Sequence, residues 1–370
     1  MAFCARKGMD IKMNKRHVAL ILAFTMIIFC SCSKNKEADN NTIIIDDTTI
    51  IIDEDKDQKD AIDNGENEED NLNKVKSKLD GLKYKEELVN NRPIVVSIDN
   101  HPKARWQAGI SEAEIVYEVE AEAPYTRYLA VFQTKEPKLI GPVRSARPYM
   151  IYLALNYDSL FAHVGGSNEA FAKLKTLSVA DIDGLYTSNM WRYNKTKKYA
   201  PHNVYTDIAS IRKEADNKGY RTESEYAGYK FNDTDSDLNT EELASYIKLT
   251  YNDFNTTEYK YDEENKIYIR YKDGEKHIDE NNKEQITAKN IIVYKVDKKV
   301  LDNEGRLYLG VVGQGTGYYI TNGKVIDITW KKTSEKSETI FYSGDEELKL
   351  NPGNSWIQVI NNSTIIKFSN

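Results

Sequence analysis

The chain has 370 residues, of which 29% are charged, and a formal net charge of −7. That length suffices for two domains, and the acidic balance excludes nucleic acid as the expected partner. The three cysteines are Cys4, Cys30 and Cys32, so nothing beyond Cys32 can form an internal disulfide, a thiolate metal site or a cysteine nucleophile.

Met1–Lys12 reads as upstream sequence, with Met13 a natural start. Lys15, Arg16 and His17 form a basic region before the uncharged run Val18–Phe29, which is too short to span a bilayer. Ser31 before Cys32 matches a bacterial lipobox, which predicts lipidation at Cys32 after removal of residues 1–31; an ordinary secretion signal is the alternative. The expected address is the outer face of the cytoplasmic membrane, with the membrane itself as partner through the lipid. Residues 33–80 are polar and acidic, apart from the doubled Thr-Ile-Ile-Ile-Asp at 42–46 and 49–53. Such a composition predicts a disordered tether.

The expected fold class is mixed α+β. An N-terminal α/β domain with a mixed sheet (84–230) precedes a β-rich, mainly antiparallel C-terminal domain (240–365), and the polar stretch 223–242 is the expected break. Pro93–Asn100 reads as a buried strand with a polar end. Ile115–Glu122 alternates, placing Glu118, Glu120 and Glu122 on one face about 7 Å apart. A four-residue turn from Ala123 would then set Glu122 opposite Arg127, Glu120 opposite Leu129 and Glu118 opposite Val131. An exposed acidic face is the bland reading of the same residues.

Ser145 is the expected cap of an all-round apolar helix over 146–156, flanked by Arg144 and Arg147. Two cations at a helix N-terminus need an anion, either an internal carboxylate or a bound carboxylate or phosphate. Leu160–Val164 reads as a strand carrying His163, followed by the Gly165-Gly166 turn and by Ser167 as the next helix cap. His163 is either a ligand group at a strand end or a hydrogen-bonded structural residue. Thr206 is the expected cap of a helix over 207–218, and His202-Asn203 lie in the loop before it.

Eight short strands are expected after Tyr246, with Asn322-Gly323 as a hairpin turn. Gly313–Gly317 falls between strands and predicts a turn or bulge. Trp330 and Trp356 are expected in the core, the alternative being a sugar-stacking platform that the 25 tyrosines would also suit.

The strings Arg92–Asn100, Glu118–Arg127, Ile140–Arg147 (IGPVRSAR), His163–Ser167 (HVGGS) and Pro201–Asn203 resemble the YerB-like family of bacterial cell-surface lipoproteins. Gly313–Gly317, Asn322–Lys324, Trp330, Leu350–Gly353 and Trp356 extend the resemblance, which spans Tyr84 to Ile360. Glu122-Ala123-Pro124 departs from it, since a glycine-richer turn would be expected there. The resemblance implies a surface lipoprotein of two domains and implies no reaction.

The combined expectation is an envelope lipoprotein binding a polar or anionic wall-related ligand, glycan or peptide, without a cofactor or metal. Its expected site comprises Glu118, Glu120, Glu122, Arg127, Arg144, Ser145, Arg147, His163, Ser167, His202 and Asn203, with Arg144, Arg147, His163 and His202 converging on one pocket. The alternatives are a wall-acting hydrolase using Glu118, Glu120 and His163 in a glycosidase-like way, and a structural partner of another envelope protein. Peptidoglycan or such a protein is the expected partner beyond the membrane.

Overall fold

Alternating apolar residues in the N-terminal half build five strands around one sheet. They are β1 (Ile94–Asp99), β2 (Ile115–Glu120), β3 (Thr126–Phe132), β4 (Leu160–His163) and β5 (Asp181–Asp183). The helices α1 (Pro148–Ala154), α2 (Asn168–Thr176) and α3 (Ile208–Asn217) lie between and after them. The structure is a computed structural model that describes residues 73–122 and 124–370. The lipobox, Cys32 and the doubled isoleucine segment lie outside the described residues.

The C-terminal half is almost entirely strand: β6 (Tyr246–Asn252), β7 (Asn255–Asp262), β8 (Ile267–Lys272), β9 (Asn290–Lys295), β10 (Gly313–Thr321), β11 (Lys324–Lys332), β12 (Ile340–Ser343), β13 (Ser355–Ile360) and β14 (Ile365–Ser369). The fold is thus mixed α+β, with a mixed sheet and an antiparallel C-terminal sheet. β7 and β14 escape sequence reading, although β7 alternates Thr257, Tyr259 and Tyr261 with Glu258, Lys260 and Asp262.

The two halves share one eleven-stranded sheet, ordered 346–347, β12, β11, β10, β9, β13, β2, β3, β1, β4, β5. β13 pairs in parallel with both β9 and β2, so the last part of the chain joins the two halves. One face, bearing Val95, Tyr117, Val119, Leu129 and Phe161, packs on Met150, Ile151 and Leu153 of α1 and Leu174 of α2. The other, bearing Val96, Ile98, Val116, Ala130 and Ile182, packs on Ile208 and Ile211 of α3. Farther along it, Ile291, Val293 and Trp356 meet Ile247, Leu249 and Tyr259 of an antiparallel second sheet built on β8, β7, β6 and β14.

Several local expectations shift. The fold begins earlier than expected: Lys74–Lys76 pair with Lys83–Lys85, and Leu79 is fully buried. Helix α1 starts at Pro148 rather than after Ser145. Ala146 is held extended by its bridge to Gly166, and Arg147, as the residue before a proline, is kept out of the helical region. Asp207, not Thr206, caps α3, accepting from the Ser210 N–H at 2.7 Å, because Thr206 is bridged to Ile140. Gly313–Gly317 is not a turn but the first half of β10. Gly315 lies opposite Trp330, and a Cβ there would stand 2.6 Å from the indole nitrogen, so the glycines make room for a buried tryptophan. Trp330 and Trp356 are core residues, 2% and 1% exposed. The Asn322-Gly323 turn forms with both residues at positive φ, 50° and 74°.

The polar segment after Glu223 is packed against the fold: Tyr226 is buried, and Lys230–Phe231 pair with Lys349–Leu350.

Candidate functional site

The segment Ile140–Arg144 threads between the end of β1 and the loop that precedes α3. Asp99 N–H donates to the Pro142 carbonyl (2.8 Å), Arg144 N–H to Ser97 (2.8 Å) and Val143 N–H to Val204 (2.7 Å). Gly141 is required here, since a Cβ would stand 2.9 Å from the Val204 carbonyl oxygen. This backbone ladder brings Arg144 and His202, 58 positions apart in sequence, to the carboxyl end of β1.

Asp99 is the centre of the arrangement. It is 3% exposed and holds three groups. Its Oδ2 lies 2.7 Å from His202 Nδ1 and 3.1 Å from Arg144 Nε, and its Oδ1 accepts from His101 N–H at 2.9 Å. The Arg144 contact has ion-pair distance without hydrogen-bond alignment, which leaves Nε without a well-aligned acceptor. A carboxylate only accepts, so His202 Nδ1 carries the proton. His202 stacks on His101 at 4.5 Å, and His101 meets Tyr125 edge-on at 4.4 Å, making a row of three rings. Burial, and then the adjacent His202, push the His101 imidazole below its ordinary range.

A second cluster adjoins the first. Arg127 donates to Glu122 (2.7 Å) and to the Ser145 carbonyl (2.6 Å), and Arg147 pairs with the other Glu122 oxygen and donates to the Ala146 carbonyl (2.7 Å). Together the two clusters set three guanidiniums against the two carboxylates of Asp99 and Glu122. The terminal nitrogens of Arg144 meet no protein acceptor among the described residues, and its side chain is 26% exposed.

Beside His202 opens a cavity of about 400 Å³ lined by Lys103, Lys197, Lys198, Tyr199, Ala200, Pro201 and His202. The Lys198 ammonium is consumed by Glu280 (2.6 Å), Tyr205 (2.8 Å) and the Trp106 carbonyl (2.6 Å). Asn203 is buried and accepts from Arg192 at 2.8 Å, which holds the loop in place.

The other expected site residues lie elsewhere. Glu120 pairs with Thr126, Val119 with Arg127 and Glu118 with Tyr128 across β2 and β3. The expected register is off by three because the turn closes tightly, Ala121 N–H reaching Tyr125 and Tyr125 N–H reaching Glu122. An odd shift swaps faces, so Glu118 and Glu120 point away from Arg127. Glu118 is fully buried between Arg270 and Lys272 (2.9 Å), with Thr126 (2.7 Å) and Thr257 (2.8 Å) completing its shell. Burial alone would raise its carboxyl, but Lys272 and Arg270 outweigh that and hold it down at about 2. Glu120 is held by Lys298 (2.9 Å) and Asn361. His163 is fully buried, with Nδ1 2.9 Å from the Gly165 carbonyl, Nε2 3.5 Å from Asp181 and its ring stacked on Phe161. It does not join Arg144. Ser167 caps α2, accepting from Ala170 N–H at 3.2 Å.

Asp99, His101, Tyr125, Lys103 and Lys197 escaped sequence reading as site residues. Asp99-Asn100-His101 ends a buried strand just as His163 does, and that shared position was the available signal.

The fold is that of a two-domain α+β protein. Residues 79–221 and 247–357 match the N-terminal and C-terminal domains of DUF3048, each described as a protein of unknown function, and the chain belongs to that family. A relative from Bacillus subtilis (strain 168), YerB, named as a candidate lipoprotein, is 34% identical over 309 residues, covering 82% of this chain and 89% of YerB. The crystal structure of YerB from Bacillus subtilis aligns with a TM-score of 0.72 at 32% identity, covering 79% of this chain and 99% of that one.

Proposed function

We propose that the protein is a lipid-anchored envelope lipoprotein, attached through Cys32 at the outer face of the cytoplasmic membrane, that binds an anionic ligand at the carboxyl end of β1. The observation that carries the binding reading is Arg144. Its guanidinium is steered by Asp99 and leaves its terminal N–H groups without an acceptor among the described residues, in a cluster with more guanidiniums than carboxylates. A carboxylate or phosphate would complete that geometry with two parallel charge-assisted hydrogen bonds. The named character of the relative YerB supports the anchor.

The paired-carboxylate reading finds no support in the site, because Glu118 and Glu120 are each consumed by cations or amides and neither lines a described cavity.

Arg144→Ala tests the binding reading. Calorimetric titration with purified wall fragments bearing carboxylates or phosphates is expected to show binding that the variant loses, with circular dichroism checking that the variant stays folded although Asp99 loses one of its partners. Equal affinity in the two proteins would refute the site. Cys32→Ala tests the anchor: the expected result is unprocessed precursor or release from the membrane fraction, and unchanged processing with full retention would reject lipidation there.

A further inference from the structure

Two cationic features meet at His202. On one side Asp99 Oδ2 ties His202 to Arg144, through contacts of 2.7 and 3.1 Å to a single oxygen. On the other, His202 lines the 400 Å³ cavity with Lys103 and Lys197. No carboxylate lines that cavity, and Lys103 and Lys197 are exposed, with no acidic partner within ion-pair distance among the described residues. Tyr199, 79% exposed, forms part of the wall, and the Tyr125–His101–His202 row of rings borders Arg144. His202 thus belongs to both features, through Asp99 to Arg144 and directly to the wall of the lysine-lined cavity. Lys103 and Arg144 are both close enough to the His101 imidazole for their charges to disfavour its protonation. The acidity of the chain does not oppose this, since it is concentrated in the 33–73 segment.

We infer that the ligand is a linear polyanion with repeated acid groups separated by sugar or polyol units, one acid held by Arg144 and the next by Lys103 and Lys197, with the intervening unit lying on His101 and His202. The inference rests on the anion-binding reading above. A single small anion would use Arg144 and leave the lysine cavity empty. A polymer uses both, and its affinity exceeds that of its monomer because the second contact is intramolecular.

The test compares each polymer with its monomer on the full-length folded protein: poly(glycerol phosphate) with glycerol 3-phosphate, and polygalacturonate with galacturonate. These pairs distinguish a phosphodiester source of the anion from a carboxylate source. Wild type is expected to bind one polymer at least about tenfold more tightly than its monomer, with marked salt dependence. The double variant Lys103→Gln, Lys197→Gln is expected to weaken polymer binding about tenfold and leave monomer binding unchanged, while Arg144→Ala abolishes both. Both lysines are exposed, so the double variant is expected to fold, which its melting temperature checks. Polymer affinity unchanged in the lysine variant, with Arg144→Ala still deficient, overturns the inference and leaves the anion site standing. No binding of any probe to wild type overturns both.

Discussion

At the scale of single residues, the molecule separates two kinds of charged cluster that a sequence presents alike. Glu118 with Arg270 and Lys272 is a sealed ion network, every member fully buried. Asp99 with Arg144 and His202 is open to solvent at the arginine. The sealed network is expected to act on stability. Glu118→Gln leaves two buried cations without their anion and is expected to cost about 3–5 kcal/mol, read as a loss in denaturant midpoint. The pH dependence follows from the carboxyl's position. Its folded value of about 2 lies below the ordinary 4.5, so it stabilises the fold fully above 4.5 and that contribution is lost as pH falls towards 2. Wild type is therefore expected to lose stability over that window more steeply than the Gln variant. Parallel acid profiles for the two proteins would contradict the assignment.

At the scale of elements, β10 shows how a glycine-rich string serves packing. Gly315 and Gly317 are the positions where Trp330 and the Val293 carbonyl come closest, and Trp330 in turn donates to the Lys295 carbonyl at 3.0 Å. Gly315→Val would force the indole from its place and is expected to destabilise by about 1–3 kcal/mol, with a change in tryptophan fluorescence as the ring leaves the core. An unchanged melting temperature and emission spectrum would show that the strand tolerates a side chain there. The string reads as a turn in sequence because glycine marks both turns and close backbone approach, and only the partner strand distinguishes them. Asn322-Gly323, by contrast, is legible, because its positive φ demand is local.

At the scale of the whole molecule, the position of β13 decides how independent the two domains are. It is the central link of the sheet, parallel to β9 of its own domain and to β2 of the other. Residues 73–240 produced alone would present β2 as a bare inner edge with Val116, Tyr117 and Val119 on strand faces that belong in the core. Such a fragment is expected to aggregate or to remain unfolded by circular dichroism, and co-production with 241–370 is expected to rescue it. A monomeric, cooperatively melting fragment would show that the N-terminal domain stands alone.

The sequence by itself determined the class of fold, most strands, the Ser167 cap and the polar strings around Arg144 and His202. Each of these rests on short-range periodicity or on the chemistry of one turn. It could not show that Asp99 gathers Arg144 and His202, because that meeting depends on the Ile140–Arg144 segment threading between β1 and the loop before α3. It also could not place Glu118, since a tight turn shifts the β2–β3 register by an odd number and reverses the face of every side chain. The tertiary structure decided both, because long-range backbone pairing sets which distant residues share a strand end and which side of the sheet each one occupies.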